Sequence, residues 1–305
     1  MISIITAIHN GLAVNRLFLK SLKKNTRMPY ELIIVDNHST DGSAELFEEA
    51  GATVIRNPEN HCYPESQNMG MEKATGDYFA FLNNDIYLAP EWDINLLRAM
   101  QEHRLEIAGL GSFEVLEDPA RRRRFGKRWK WLRRGKRHIG MDSESLERLM
   151  NKLYGRQGFE AWASEEARIY GTKIYPGITG SALVTTAGFW NKFGCWDVQM
   201  EASDWHLMIL VSKRAEEVGD IRPPAIVPSA LHHHFARMTF HGNPEPRACQ
   251  HAHLRLEDRW SDEEIHRFGP HLPEETSTWS QLRRGIKALR PNWRKTDRER
   301  VDTKS

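Results

Sequence analysis

The chain has 305 residues, 40% of them hydrophobic and 28% charged, which is enough apolar material for one large or two small globular domains. Its three scattered cysteines argue against a disulfide framework or a paired-cysteine metal site and point to a reducing compartment, and no run of about 18 apolar residues is present to span a membrane. The net charge of +2 hides an asymmetry: residues 121–138 carry eleven Lys/Arg and no acid, which leaves −9 for the remainder.

The opening MISIITAIHN has no basic leader and reads as a first strand, over 2–8, rather than a signal peptide. Val14, Leu17, Phe18 and Leu22 then fall at helical spacing. YELIIVD (30–36) is a strand running into a polar residue, and TDGSAELFEEAG is a helix closed by Gly51. A strand is expected at 52–57, a helix over ESQNMGMEKATG, a strand at 77–82, a helix at 91–103 and a strand at 107–115. Strand and helix alternate with short connections, which predicts an α/β fold with a mostly parallel sheet covered by helices on both faces. Residues 116–172 interrupt this pattern and read as a basic insertion. A strand at 178–186, a helix at 203–219 and the apolar PPAIVP (223–228) follow, and from 242 the chain reads as a charged helical extension.

Ligands of such sheets bind at the carboxyl ends of the strands. Asp36 and Asp85 both lie there, on different strands. Alone, Asp36 in VDNHSTDGS is equally an Asx turn and helix cap. Asp85 in FLNNDIYLAP is either a turn residue or a contact for a divalent cation, since Mg²⁺ typically takes one or two carboxylates and completes its shell with water and phosphate. Asp204 in ASDWHLMI is either a first-turn cap or a general base. His232–His234 reads as a solvated loop or as a source of one or two metal ligands, because three successive histidines cannot all face one point.

Taken together, SIITAIHNG, IIVDNHSTDGS, the run from RNPENHCYPE to NNDIYLAPEW, GITGSALVTT and ASDWHLMI…HHHFARMT resemble the family 2 glycosyltransferases of GT-A fold. They are most similar to the rhamnosyltransferase-like enzymes of bacterial surface polysaccharides. The resemblance covers roughly residues 1–115 and 175–240. It implies an inverting, metal-dependent transfer of a sugar from a UDP-, dTDP- or GDP-sugar to a hydroxyl of a glycan or lipid-linked glycan. By position, Asp204 would be the catalytic base, with Glu201 as the fallback. Donor contacts would come from Thr6, Ala7, Asp36, Asn37, Asp41, Asn60, Gln67, Asn68, Asn83, Asn84, Gly180 and Ser181. Asp85, with His233 and His234, would hold Mn²⁺ or Mg²⁺. Three departures from the family's pattern stand out: Asn83 at the first D-x-D position, Ser203 and His206 around the catalytic aspartate, and His61-Cys62 where a glycine is common.

The domain expectation is a glycosyltransferase domain over 1–241 and a helical basic extension over 242–305. The first would comprise a nucleotide-sugar half at 1–115, the insertion at 116–172 and an acceptor half at 173–241. Within the insertion, Phe125, Trp129, Trp131 and Leu132 interleave with basic residues, a mixture that suits either a solvated charge run or an anionic membrane surface. The location expected is cytoplasmic, on the inner face of the plasma membrane. Nucleic-acid binding is disfavoured by the acidic body, and a Rossmann oxidoreductase by the lack of G-x-G-x-x-G after the first strand. A non-catalytic sugar-nucleotide-binding or structural subunit would fit the same fold.

Overall fold

The computed structural model describes residues 1–134, 140–200, 202–236 and 252–269. Met1–Pro270 forms one compact unit. It begins with β1 (Ile2–Ile8), α1 (Leu12–Asn25), β2 (Tyr30–Asn37), α2 (Ser43–Glu49), β3 (Thr53–Asn57), α3 (Tyr63–Met71) and β4 (Tyr78–Leu82). Next come β5 (Ile86–Leu88), α4 (Trp92–His103) and β6 (Ile107–Gly111). The basic region forms α5 (Pro119–Leu132), α6 (Ser143–Leu153) and α7 (Gly158–Tyr170). The remainder is β7 (Tyr175–Pro176), β8 (Ala182–Thr186), α8 (Trp190–Phe193), α9 (Ser203–Glu217), β9 (Ala225–His234) and two short helices, Leu256–Arg259 and Asp262–Phe268.

Strand order in the main sheet is β3-β2-β1-β4-β8-β6-β9-β5, with β7 alongside β9. The pairs β1–β2, β1–β4, β2–β3 and β6–β9 are parallel. β8 runs antiparallel to both β4 and β6, so those two strands share one direction. The sheet is therefore mixed, with β5, β7 and β8 reversed against six co-directional strands. This reversal decides where the site forms. The carboxyl ends of β1, β2, β4, β6 and β9 and the amino end of β8 all reach one edge.

Alternation along the strands builds a core on each face. Ile4 and Ile34 pack on the face covered by Phe18, Phe47 and Trp92. Their neighbours Ile5 and Ile33 point the other way, toward Phe189, Trp196 and Leu207. Each large apolar side chain so buried contributes about 1.5–3 kcal/mol. The expected helix 65–76 lies at 63–71, started by Pro64 in its first turn. The strand expected over 107–115 ends at Gly111, where Ser112–Val115 turns.

Helices α5–α7 close over a third core. Phe113, Trp129, Tyr154, Phe159, Trp162 and Phe235 pack together under α5–α7. Tyr87 Oη and the Lys24 ammonium both donate to Glu160, and Lys20 pairs with Glu147, tying α6 and α7 to α1 and β5. Phe125, Trp129 and Leu132, grouped in the sequence with Trp131 as interfacial residues, instead contribute to this core, and only Trp131 stands exposed. The HHH segment, read as a loop, is the end of β9. Residues 135–138 of the basic run and most of the expected 242–305 extension lie outside the described residues.

Candidate active site

At the ends of β1 and β2 the loops are knitted together by short polar side chains. Asp36 Oδ1 accepts from the Ser39 backbone N–H at 3.0 Å, the Asx turn its sequence allows. Ser39 Oγ in turn accepts from the Asn10 N–H, and Asn10 Oδ1 accepts from the Thr40 N–H. Asp41 bridges the two loops, accepting from the Leu12 and Ser43 N–H groups. Asn37 receives Asn57 and donates to Ser66, which carries the network to α3. Asn15, missed in the sequence, is the hub: it donates to Ser43 Oγ and the Asn10 carbonyl and accepts from Asn84 Nδ2 at 2.7 Å. The Asn83–Asp85 turn is thereby locked to the nucleotide-side loops. Asn60 lies half-buried in the loop between β3 and α3.

Between β4 and β5 that turn is pinned at both ends by backbone. Asn83 N–H donates to the Ser181 carbonyl at 2.9 Å, and Phe235 N–H donates to the Asp85 carbonyl at 2.9 Å. Asp85 Oδ1 lies 3.3 Å from His234 Nε2, and the other ring nitrogen, Nδ1, lies 2.8 Å from Glu114 Oε2. Burial alone would lower the His234 pKa, but Asp85 and Glu114 on its two sides raise it to about 10. Glu114, just beyond β6, gave no motif signal; only its place at the same sheet edge reveals it. Among the described residues no group of three or more His, Cys, Asp or Glu side chains is arranged to hold a metal. One carboxylate plus one imidazole fits a hard divalent cation, completed by substrate phosphates and water, once the cation displaces the ring proton that His234 shares with Asp85.

His233 does not belong to this set. Adjacent residues of a strand point to opposite faces. His232 and His234 face the site, with His232 Nε2 at 2.8 Å from Ser181 Oγ. The His233 ring is 0% exposed, stacked on Phe113 and edge-on to Trp129, with Tyr154 Oη 2.9 Å from its Nδ1. Burial holds its pKa well below the ordinary histidine value, so it is a neutral core residue. Thr6 is likewise 0% exposed inside β1 and cannot touch a donor, whereas Ala7 beside it is half-buried.

Asp204 sits in the first turn of α9. A Cβ built on Gly180 would meet its Oδ2 at 2.0 Å, so the carboxylate lies directly over the Gly180 backbone. Burial raises the Asp204 pKa above the ordinary carboxylate value, against the opposing hydrogen bond from the Trp205 N–H. Tyr63, raised by burial, is raised further by the Asp204 charge and stands edge-on to Trp196. Asn68 holds Trp196 by a reciprocal pair of bonds, Nδ2 to its carbonyl and Oδ1 from its N–H. Gln67 is buried in α3, and its Oε1 has no hydrogen-bond partner among the described residues. His206 is buried between Trp260, whose indole N–H donates to its Nδ1, and Asp197. Glu201, the alternative base, lies outside the described residues.

One segment, Gly180–Ser181, therefore joins the two carboxylate sites. Its glycine touches Asp204, and its serine carbonyl holds the turn that carries Asp85. The loop network at β1 and β2, a carboxylate–imidazole pair and a second, half-buried carboxylate thus share one edge of a sheet with GT-A architecture.

The comparisons agree. The sequence profile of glycosyl transferase family 2 matches residues 3–161, more than half of the chain, and the chain belongs to that family. Mannosyltransferase PcManGT from Pyrobaculum calidifontis, solved with GDP-Man and Mn²⁺, is similar at a TM-score of 0.51, covering 76% of this chain and 56% of that one at 12% identity. GalNAc-T7, solved with UDP, GalNAc and Mn²⁺, gives a TM-score of 0.50 over 77% of this chain and 43% of that one at 13% identity. An uncharacterized glycosyltransferase of Haemophilus influenzae is 34% identical over 104 residues, 34% of this chain and 35% of that one. EpsH of Bacillus subtilis, named as a glycosyltransferase, is 31% identical over 101 residues, 32% of this chain and 29% of that one. The chain thus spans about a third of the length of these curated relatives.

Proposed function

We propose that this glycosyltransferase moves a sugar, with inversion, from a nucleoside-diphosphate sugar to a hydroxyl of a glycan or lipid-linked glycan in cell-surface polysaccharide synthesis. The observation that carries this reading is the Gly180–Ser181 segment, which positions Asp204 and the Asp85 turn together. Asp36, Asn37 and Asp41 would shape the nucleotide pocket, and Asn60, Gln67, Asn68 and Asn83 the sugar side. Asn84 would hold the motif turn in place through Asn15 rather than touch the donor.

Asp204 takes the proton of the acceptor hydroxyl. The freed oxygen forms its bond to the anomeric carbon on the face opposite the diphosphate, and the bond from that carbon to the phosphate oxygen breaks. The electron pair leaves with the nucleoside diphosphate. The raised pKa of Asp204 suits this role, because a base works best when its pKa approaches the working pH. Asp85, with His234 in its neutral form, would hold a divalent cation, which would supply positive charge to the leaving diphosphate. Glu114 fixes the His234 ring from behind.

Incubating the protein with a panel of UDP-, dTDP- and GDP-sugars, with Mn²⁺ or Mg²⁺, and measuring release of nucleoside diphosphate tests the reading. Release that depends on the cation and disappears in Asp204→Asn supports it. Full turnover in that variant overturns the assignment of the base.

A further inference from the structure

The described part of the basic run is a two-sided helix. At 3.6 residues per turn, Phe125, Trp129 and Leu132 fall on one side of α5 and pack into the third core. Trp129 is 5% exposed and meets the His233 ring edge-on at 4.7 Å, one residue from His234. Arg121 pairs with Glu166 on the same side, and Arg128 donates to the Lys152 carbonyl. The opposite side carries Arg123, Arg124, Lys127 and Lys130, with Arg134 just past the helix end, all exposed and none in an ion pair among the described residues. The four on the helix, with Trp131, occupy about a third of the helix circumference and a stripe of roughly 12 Å. Asp118, the nearest acid on the helix, is taken up as its N-cap, accepting from the Ala120 and Arg121 N–H groups. Trp131 is 64% exposed at the C-terminal end of the stripe, beside Lys130.

From this arrangement we infer that the solvent face of α5 is a docking surface for an anionic lipid bilayer. The stripe supplies charge complementary to acidic headgroups, and an exposed indole among cations suits the headgroup boundary. A bilayer is flat and meets this one face. An extended polyanion would run off the stripe onto the rest of the chain, which carries −9 outside residues 121–138. Docking by this face would hold strand β9, and with it His234, at a fixed place relative to the lipid, since Trp129 fastens the helix to that strand. The inference is independent of which residue acts as base.

The test is co-sedimentation of the full chain with phosphatidylcholine vesicles, with and without phosphatidylglycerol. Two variants are compared: Lys127→Glu/Lys130→Glu/Arg134→Glu, and Trp131→Ala. All four side chains are exposed, so circular dichroism should show both variants folded. Expected is binding only when phosphatidylglycerol is present, weakened by salt and reduced by at least about a hundredfold in the triple variant. Trp131→Ala should bind more weakly than the parent without abolishing association. No binding to acidic vesicles, or equal binding by the triple variant, overturns the inference. Tighter binding to double-stranded DNA than to the vesicles, lost in the same variant, also overturns it and assigns the face to a nucleic acid.

Discussion

Gly180 and Asp204 approach so closely that a Cβ on the glycine would lie 2.0 Å from Asp204 Oδ2. The Gly180→Ala methyl group cannot be accommodated without moving that carboxylate. A displacement of about 1 Å at a reacting group can lower turnover by roughly a hundredfold. Gly180→Ala should therefore retain its fold by circular dichroism and lose about that factor in kcat, with a smaller change in donor KM. Unchanged kcat would place the reacting groups elsewhere.

Asp204→Asn separates catalysis from stability. Turnover should fall by about 10²–10⁴, the usual worth of a positioned general base. Melting temperature should move the other way. The folded-state pKa of Asp204 is raised, so its stabilising contribution is complete below the ordinary value of 3.8 and is lost as pH rises through the raised value. Above that raised value the parent holds a half-buried charge that the amide removes. The variant should melt higher than the parent at pH 7, and the gap should close in acid. In the parent, the acidic limb of the kcat profile should lie above the ordinary carboxylate range.

Glu114 stands behind His234, 2.8 Å from the ring nitrogen that does not face Asp85. Carboxylates so placed orient a histidine ligand, and losing one typically weakens metal binding by about 10–100-fold. Titrating Mn²⁺ by electron paramagnetic resonance in the presence of UDP, dTDP or GDP should show that loss in Glu114→Ala. Glu114→Gln, which can still accept a hydrogen bond, should recover part of it. Equal Mn²⁺ affinity in all three proteins would leave Glu114 without a role at the cation.

Two tryptophans two residues apart should behave oppositely. Trp129→Ala removes a buried indole from the third core and should cost about 3–5 kcal/mol in a denaturant titration. Trp131→Ala, at an exposed position, should stay within about 0.5 kcal/mol of the parent.

Much of the nucleotide-side architecture was legible because its strands alternate with amphipathic helices, each a local signal. Asp36 and Asp85 stand out in the sequence as polar residues at the ends of apolar runs, and Asp204 only as a first-turn residue of a helix. The reversal of β8 left no trace in its own sequence, since ALVTT reads alike in either direction. The His233–His234 pairing went astray for a reason that was available. Once that segment is a strand, neighbours face opposite sides, and only His232 and His234 can share one. In α5 the apolar residues Phe125, Trp129 and Leu132 stand at helical spacing, but eleven cations around them masked a core-facing stripe. Asn15 and Glu114 were beyond reach, because their partners lie 69 and 120 residues away.

The position of β8 also governs how the protein can be made. β4 pairs only with β1 and β8, and β6 pairs only with β8 and β9 among the described strands. A nascent chain emerging from the ribosome therefore carries β4 as an open edge, and β6 without any partner, until Ala182–Thr186 has been synthesised. Open edges of this kind template aggregation. Fragments that stop short of β8 should be insoluble, and the enzyme cannot be split there into two separately expressed modules.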